Sequence, residues 1–406
     1  MDSSTLSNEK VLFLLNKDTG MAPYSHEFIM GDIDTQVLSG FVSAMLSFMG
    51  EVTGDECSRW KTHYGSDNVF IVEGGKWVVG VLAVSRETTE VRSKLRRVVK
   101  EFEEEFQFLQ RAEGIDGRIF DEFDHYVRRV FLGDRLSERS ILLKRSDAKV
   151  DSEMYRLPSI AFKVANMLQH IGEGTTLGEV AALMDIDIHT AKDLASRALW
   201  RHSIYILYVP SNDDILVLSE RSSSELLHKE NPFGISQRTI QVVASLDGRT
   251  PLRSHLSDMA PEDIEQALVE LADFINKGYI QRISLERKLV LIEECVLNKL
   301  VETCADIIGR ESTLAYLENG QDQGVEIHPW IARIKISSGL KIECWLDITM
   351  TPADFDEMYE ALRFLIKNLL EQIASLIETE QAEAMLTFAR KQCRQKWKGY
   401  VQDVTI

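Results

Sequence analysis

Asp121, Asp124 and His125 put two carboxylates and an imidazole on one short stretch of helical pattern. Asp121 and His125, four positions apart, share a helix face and are residue types that hold a divalent metal or relay a proton. Two groups do not complete a coordination shell, and Phe120, Phe123 and Val127 claim the buried side of the same stretch. The expectation is therefore a solvated pair with no metal. Gly172-Glu173-Gly174-Thr175-Thr176 is the nearest approach to a phosphate-cradling loop. It lacks the lysine that such loops carry, so Thr176 reads as a helix cap. His63, His170, His255 and His328 are isolated, and no Gly-x-Ser-x-Gly elbow or Cys-x-x-Cys pair accompanies them. No catalytic residue and no cofactor is assigned, and the expectation is that the chain is not an enzyme.

Charge offers a second kind of chemistry. The helical segment 190–202 carries Lys192, Arg197 and Arg201 against Asp193, so three positive charges less one leaves a surplus of two. Such a surface suits phosphates. The segment 261–277 carries Glu262, Asp263, Glu265, Glu270 and Asp273 against Lys277, so five less one leaves four negative charges, which repel phosphates. The whole chain has 46 Lys and Arg against 64 Asp and Glu, a formal net charge of −18. At long range it repels polyanions, although a local basic face prevails within a Debye length of about 8 Å.

At 406 residues the chain exceeds one ordinary core, and about three domains are expected. With 44% hydrophobic and 27% charged residues it belongs with globular proteins. Met1 to Lys10 is polar and contains Asp2 and Glu9, unlike a secretory leader. The longest apolar runs, such as Ile204 to Val209, fall short of the ~20 residues of a membrane span. The five cysteines (Cys57, Cys295, Cys304, Cys344, Cys393) are scattered and odd in number, which fits reduced core thiols and a cytoplasmic location.

These residues must be positioned by regular elements. Val11 to Leu15 and Ala22 to Ile29 flank the turn Asn16-Lys17-Asp18-Thr19-Gly20, a hairpin pattern. Leu38, Phe41, Val42, Met45 and Met49 recur at helical spacing behind Asp34 as N-cap. Asn68 to Glu73 and Trp77 to Ser85 flank Gly74-Gly75, a second hairpin. From Thr88 to Leu109, Val91, Leu95, Val98, Phe102 and Phe106 form one stripe, with Arg96 and Arg97 off it. Ile119, Phe120, Phe123, Val127 and Val130 continue the helical pattern. The order of these elements, with the Asp-Thr-Gly turn and the helix LeuSerGlyPheValSerAlaMet (Leu38 to Met45), resembles a longin or roadblock domain over residues 8–132. The resemblance implies a sheet-and-helix platform that serves small-GTPase regulation, tethering or dimerisation.

Residues 133–155 are polar with a short apolar island, Ile141 to Leu143, and read as a linker. Leu157 to Leu218 then reads as three helices and a wing hairpin, Ile204 to Val209 with Ile215 to Leu218. Ser236 to Ile292 repeats the pattern, with Gln281 to Leu285 and Lys288 to Ile292 as its wing. The tandem units, 156–220 and 221–294, resemble winged helices. In the C-terminal 295–406, Val296 to Glu318 is helical, a hairpin crosses Ser337 to Gly339, and a long helix runs from Pro352.

The sequence therefore leads us to expect an α+β multidomain chain: a longin/roadblock-like domain over 1–132, a linker, two winged helices and a C-terminal α+β domain with a long helix. The expected work is that of a non-catalytic adaptor binding proteins, a small GTPase or a second copy of the chain among them. Leu38, Phe41, Met45, Arg96 and Arg97 would lie beside that surface. The alternative is a DNA-binding regulator in which Lys192, Arg197 and Arg201 approach phosphates. Trp60, Trp200, Trp330 and Trp397 serve either as interface anchors or as core.

Overall fold

β-Branched and aromatic runs build a five-stranded antiparallel sheet from β1 (Glu9–Asn16), β2 (Tyr24–Glu27), β3 (Arg59–Tyr64), β4 (Asn68–Gly74) and β5 (Val78–Val84), in the order β2-β1-β5-β4-β3. The computed structural model describes residues 8–29, 40, 59–64, 68–111, 117–145, 155, 157–220, 222–228 and 230–397. The expected helix around Leu38 to Met49, with Leu38, Phe41 and Met45, lies outside the described residues. Both expected hairpins form. Asn16 accepts hydrogen bonds at Oδ1 from the amides of Asp18 and Thr19, and Gly20 closes the turn at φ 67°. The register sets Leu12 opposite His26 and Leu14 opposite Tyr24.

One face of the sheet packs on α1 (Thr89–Glu105) and α2 (Asp121–Leu132). The Thr88 hydroxyl caps α1 by accepting from the Val91 amide, and Val91, Leu95, Val98 and Phe102 form the buried stripe. α1 ends at Glu105, sooner than the expected Leu109, and a 3₁₀ turn, Gln107–Arg111, takes over. Gly80 lets α1 approach closely, since a Cβ there would lie 2.3 Å from Val99.

Two modules of one wiring follow, with three helices in the first and four in the second. The first is β6 (Ile141–Lys144), α3 (Pro158–Gln169), α4 (Leu177–Leu183), α5 (Ile188–Trp200) and β7 (Ile204–Leu207). The second is β8 (Leu216–Leu218), α6 (Ser222–Leu226), α7 (Gln237–Ser245), α8 (Leu252–His255), α9 (Pro261–Asn276) and β9 (Ile280–Arg282). In each, the strand before the helices pairs with the strand after them, β6 with β7 and β8 with β9. Corresponding bridges join Ile141 to Thr176 and Ile215 to Pro251. The Leu177 amide donates to the Ser140 carbonyl, as the Leu252 amide does to that of Asp214. The last helix of each module closes through a residue of positive φ, His202 in one and Gly278 in the other.

This pairing differs from the expected wings. The segment 204–209 does not pair with 215–218, and Ile141–Lys144, placed in the expected linker, supplies a strand with Leu142 fully buried. Nor is Lys288 to Ile292 a strand: it lies inside α10 (Leu285–Ile308), capped by the Ser284 hydroxyl. A run such as Lys288-Leu289-Val290-Leu291-Ile292 fits a buried strand or a buried helix equally by composition.

The chain divides into two compact units, Met1–Arg282 and Ile283–Ile406. The second contains α10, α11 (Arg310–Gly324), β10 (Ile334–Ile336), β11 (Ile342–Cys344), α12 (Pro352–Ala374) and α13 (Thr379–Lys396). Gly309, at φ 88°, separates α10 from α11 where one continuous helix was expected. The hairpin β10/β11 forms as expected, and Asn298 holds it by donating to the Ile342 carbonyl and accepting from its amide. Thr351 and Asp354 form a capping box at the start of α12, the expected long helix. No helix among the described residues is long and apolar enough to cross a membrane.

Candidate functional site

Helix α5 carries the expected phosphate-binding residues, and it is docked against the sheet domain. Trp200, at its last turn, is 6% exposed and belongs to the core cluster of the sheet, α1 and α2. Its indole stacks on His26 of β2 with ring centroids 3.4 Å apart and planes 5° from parallel. Burial, and then the charges of His202 and Arg201, hold the His26 imidazole well below its ordinary value, so it is neutral. Alongside, Arg128 of α2 donates to Asp193 of α5 at 3.4 Å. Asp193 also accepts from Arg197 at 2.7 Å, one carboxylate serving two guanidinium groups.

Between α2 and α5 opens a cleft of about 270 Å³. Asp121, Asp124, His125 and Arg128 line it from α2, and Arg197, Trp200 and Arg201 from the α5 side, with buried Tyr155 and exposed Leu157 completing the lining. The Tyr24 hydroxyl donates to Asp124 Oδ1 at 2.9 Å. Burial raises the Asp124 carboxyl, and it raises the Tyr24 phenol well above its ordinary value with help from Asp124. Burial, then the repulsion of Arg197, pulls Arg128 down to about 10. Arg201 makes no salt bridge among the described residues.

The sequence-derived candidates thus divide. Asp121, Asp124, His125, Arg197 and Arg201 converge on one cleft, although they come from helices read as belonging to separate domains. Lys192 is half-buried on α5 and does not line it. Arg96 and Arg97 are half-buried on α1. Arg128 and Tyr24 were missed: Arg128 stands four residues beyond Asp124, a spacing that puts both on one helix face. Among the described residues no three His, Cys, Asp or Glu side chains gather as a metal site. Thr176 caps α4 through a capping box with Glu179.

On α9, Glu262, Glu265, Val269 and Asp273 are exposed and mark an acidic stripe with one apolar residue in it. Basic neighbours answer part of that charge, Arg139 reaching Glu265 at 3.0 Å and Lys277 reaching Asp273 at 2.7 Å. No protein-family model matches the chain, and no curated protein matches it significantly.

Proposed function

We propose that the chain is a non-catalytic adaptor whose longin/roadblock-like sheet domain binds a small GTPase or a second copy of itself in the cytoplasm, with the two winged-helix-like modules as rigid extensions. The docking of α5 carries this reading. A helix that enters a major groove must present its basic face to solvent. Here Trp200 is packed into the sheet domain, and Arg197 and Arg201 line a cleft facing α2. Both arginines thus face a cleft walled by α2, not an open helix face of the kind that seats in a groove.

Two further features support protein as the partner. Strand β3 lies at one end of the sheet order and pairs with β4 alone among the described residues, leaving a backbone edge that a partner strand can extend. The acidic stripe of α9 repels nucleic acid and suits a basic protein surface.

Fluorescence anisotropy with duplex DNA across a salt series separates this reading from the DNA-binding alternative. The adaptor gives no saturable binding near 50 mM salt, whereas sub-micromolar affinity with a steep salt slope overturns it. Affinity capture with GDP- and GTP-loaded small GTPases and with the tagged chain itself tests the partner. Recovery of neither rejects the platform assignment.

A further inference from the structure

We infer that the cleft between α2 and α5 binds a small organic molecule with an oxyanion at one end and a hydrogen-bond donor, amino or hydroxyl, at the other. The α2 wall carries both signs, Arg128 beside Asp121 and Asp124, and the α5 side is basic. Asp121 and Asp124, three apart, stand on α2, and Arg197 and Arg201, four apart, stand on the α5 side. No salt bridge joins Asp124 to Arg201, so the open cleft lies between two charges that do not touch.

Donors outnumber acceptors at the basic end. Asp193 serves Arg128 at 3.4 Å and Arg197 at 2.7 Å, leaving most N–H groups of these planar forks unbonded within the described residues. The Arg128 side chain is 7% exposed, and no polar atom of it is both fully enclosed and unpartnered. Its remaining donors therefore face the cleft. Arg201 adds a full set with no ion pair, and its charge is felt by Tyr24, Asp124, Arg128 and Tyr155 around it. A carboxylate or phosphate oxygen satisfies such forks in bidentate geometry.

At the other end Asp124 spends one oxygen on the Tyr24 hydroxyl and keeps the second for a donor. An anion without a donor end, such as propionate, meets repulsion there. A volume of about 270 Å³ equals roughly nine waters, so the ligand has the size of an amino acid or a hydroxy acid. Trp200 and Leu157 give its carbon skeleton an apolar wall.

Isothermal titration of the full chain with L-serine, L-leucine, lactate, propionate, propylamine and inorganic phosphate tests the site. Ligands with both ends bind saturably and about tenfold or more tighter than propionate, propylamine or phosphate. Arg201→Ala weakens that binding about tenfold or more, and Lys192→Ala, on the same helix outside the cleft, leaves it unchanged. Leu157→Trp, at a rim position 55% exposed, blocks entry without removing a charge, which covers the case of an Arg201 variant that folds poorly. Absence of saturable binding by every two-ended probe overturns the inference, and so does equal affinity in wild type and in both cleft variants. Tighter binding of propionate than of any amino or hydroxy acid rejects the donor end, and tighter binding of phosphate rejects the organic skeleton.

Discussion

The imidazole of His26 lies flat on the indole of Trp200, centroids 3.4 Å apart, and joins an edge strand of the sheet to the end of a helix 174 residues later. Trp200 also meets Phe28 edge-on at 6.3 Å, so the last turn of α5 is enclosed by aromatic rings of β2 and its flank. Trp200→Ala should therefore cost about 3–5 kcal/mol, because the void sits between two packed elements with little freedom to collapse. Urea denaturation measures it. A loss below about 1 kcal/mol would show that the module folds independently of the sheet.

The same stack makes stability depend on pH. The folded His26 value lies well below the ordinary 6.5, and His202 shifts the same way, both chiefly through burial, with Arg201 repelling each imidazolium. A histidine with a depressed folded value binds its proton more readily when unfolded. Its contribution is complete above pH 6.5 and is lost as pH falls below that towards the folded value. Thermal melts at pH 7.5 and pH 5 should show wild type losing more stability than His26→Phe, which keeps the ring and removes the titration. Equal losses would refute the assignment.

Gly80 supplies a test of the other sheet contact. A methyl at that position meets Val99 Cγ2 at 2.3 Å and Leu95 Cδ1 at 2.9 Å, both in the buried stripe of α1. Gly80→Ala should destabilise by about 1–3 kcal/mol as α1 is pushed off β5. Gly174→Ala is the contrasting control: its Cβ meets nothing within 4 Å, and its cost comes from the φ of 73° alone.

In the second unit, Cys295 and Cys393 place their sulfurs 2.7 Å apart between α10 and α13. Cys295 is half-exposed, so an added alkyl hydroperoxide reaches it. The two thiols should join as a disulfide, each giving up its hydrogen, while the peroxide is reduced to an alcohol and water. Intact-mass measurement reads the loss of two hydrogens, and peptide mapping locates the link. Cys393→Ser should abolish it.

How much of this the sequence disclosed depended on whether the signal was local. The stripe Val91, Leu95, Val98 and Phe102 and the turns at Asn16 and Gly74-Gly75 are local, and they were legible. Ile141-Leu142-Leu143 was a strand too short to recognise, because its partner, Ile204–Leu207, lies some sixty residues away. At the site, Arg197 and Arg201 stood out by type and spacing. Nothing local disclosed that they face Arg128 and Asp124, since that depends on how α5 docks. In the sequence Asp193 only subtracts a charge from the helix, whereas in the structure its carboxylate holds Arg197 and Arg128 together.

Arg86, just past β5, has its guanidinium 4.1 Å from the Tyr279 ring and pairs with Glu225 at 3.1 Å, while Gln281 accepts from the Glu90 amide. For a chain emerging from the ribosome, these contacts set an order of events. The β4–β5 hairpin and α1 leave the exit tunnel early, yet the groups that pin their margin arrive only with Glu225 of α6 and then with Tyr279 and Gln281 at β9. Until then the N-terminal part waits with Arg86 and the first turn of α1 uncovered. A stall or a nonsense codon before Ser222 leaves a product that has its sheet but lacks its latch, the kind of species that quality-control proteases recognise.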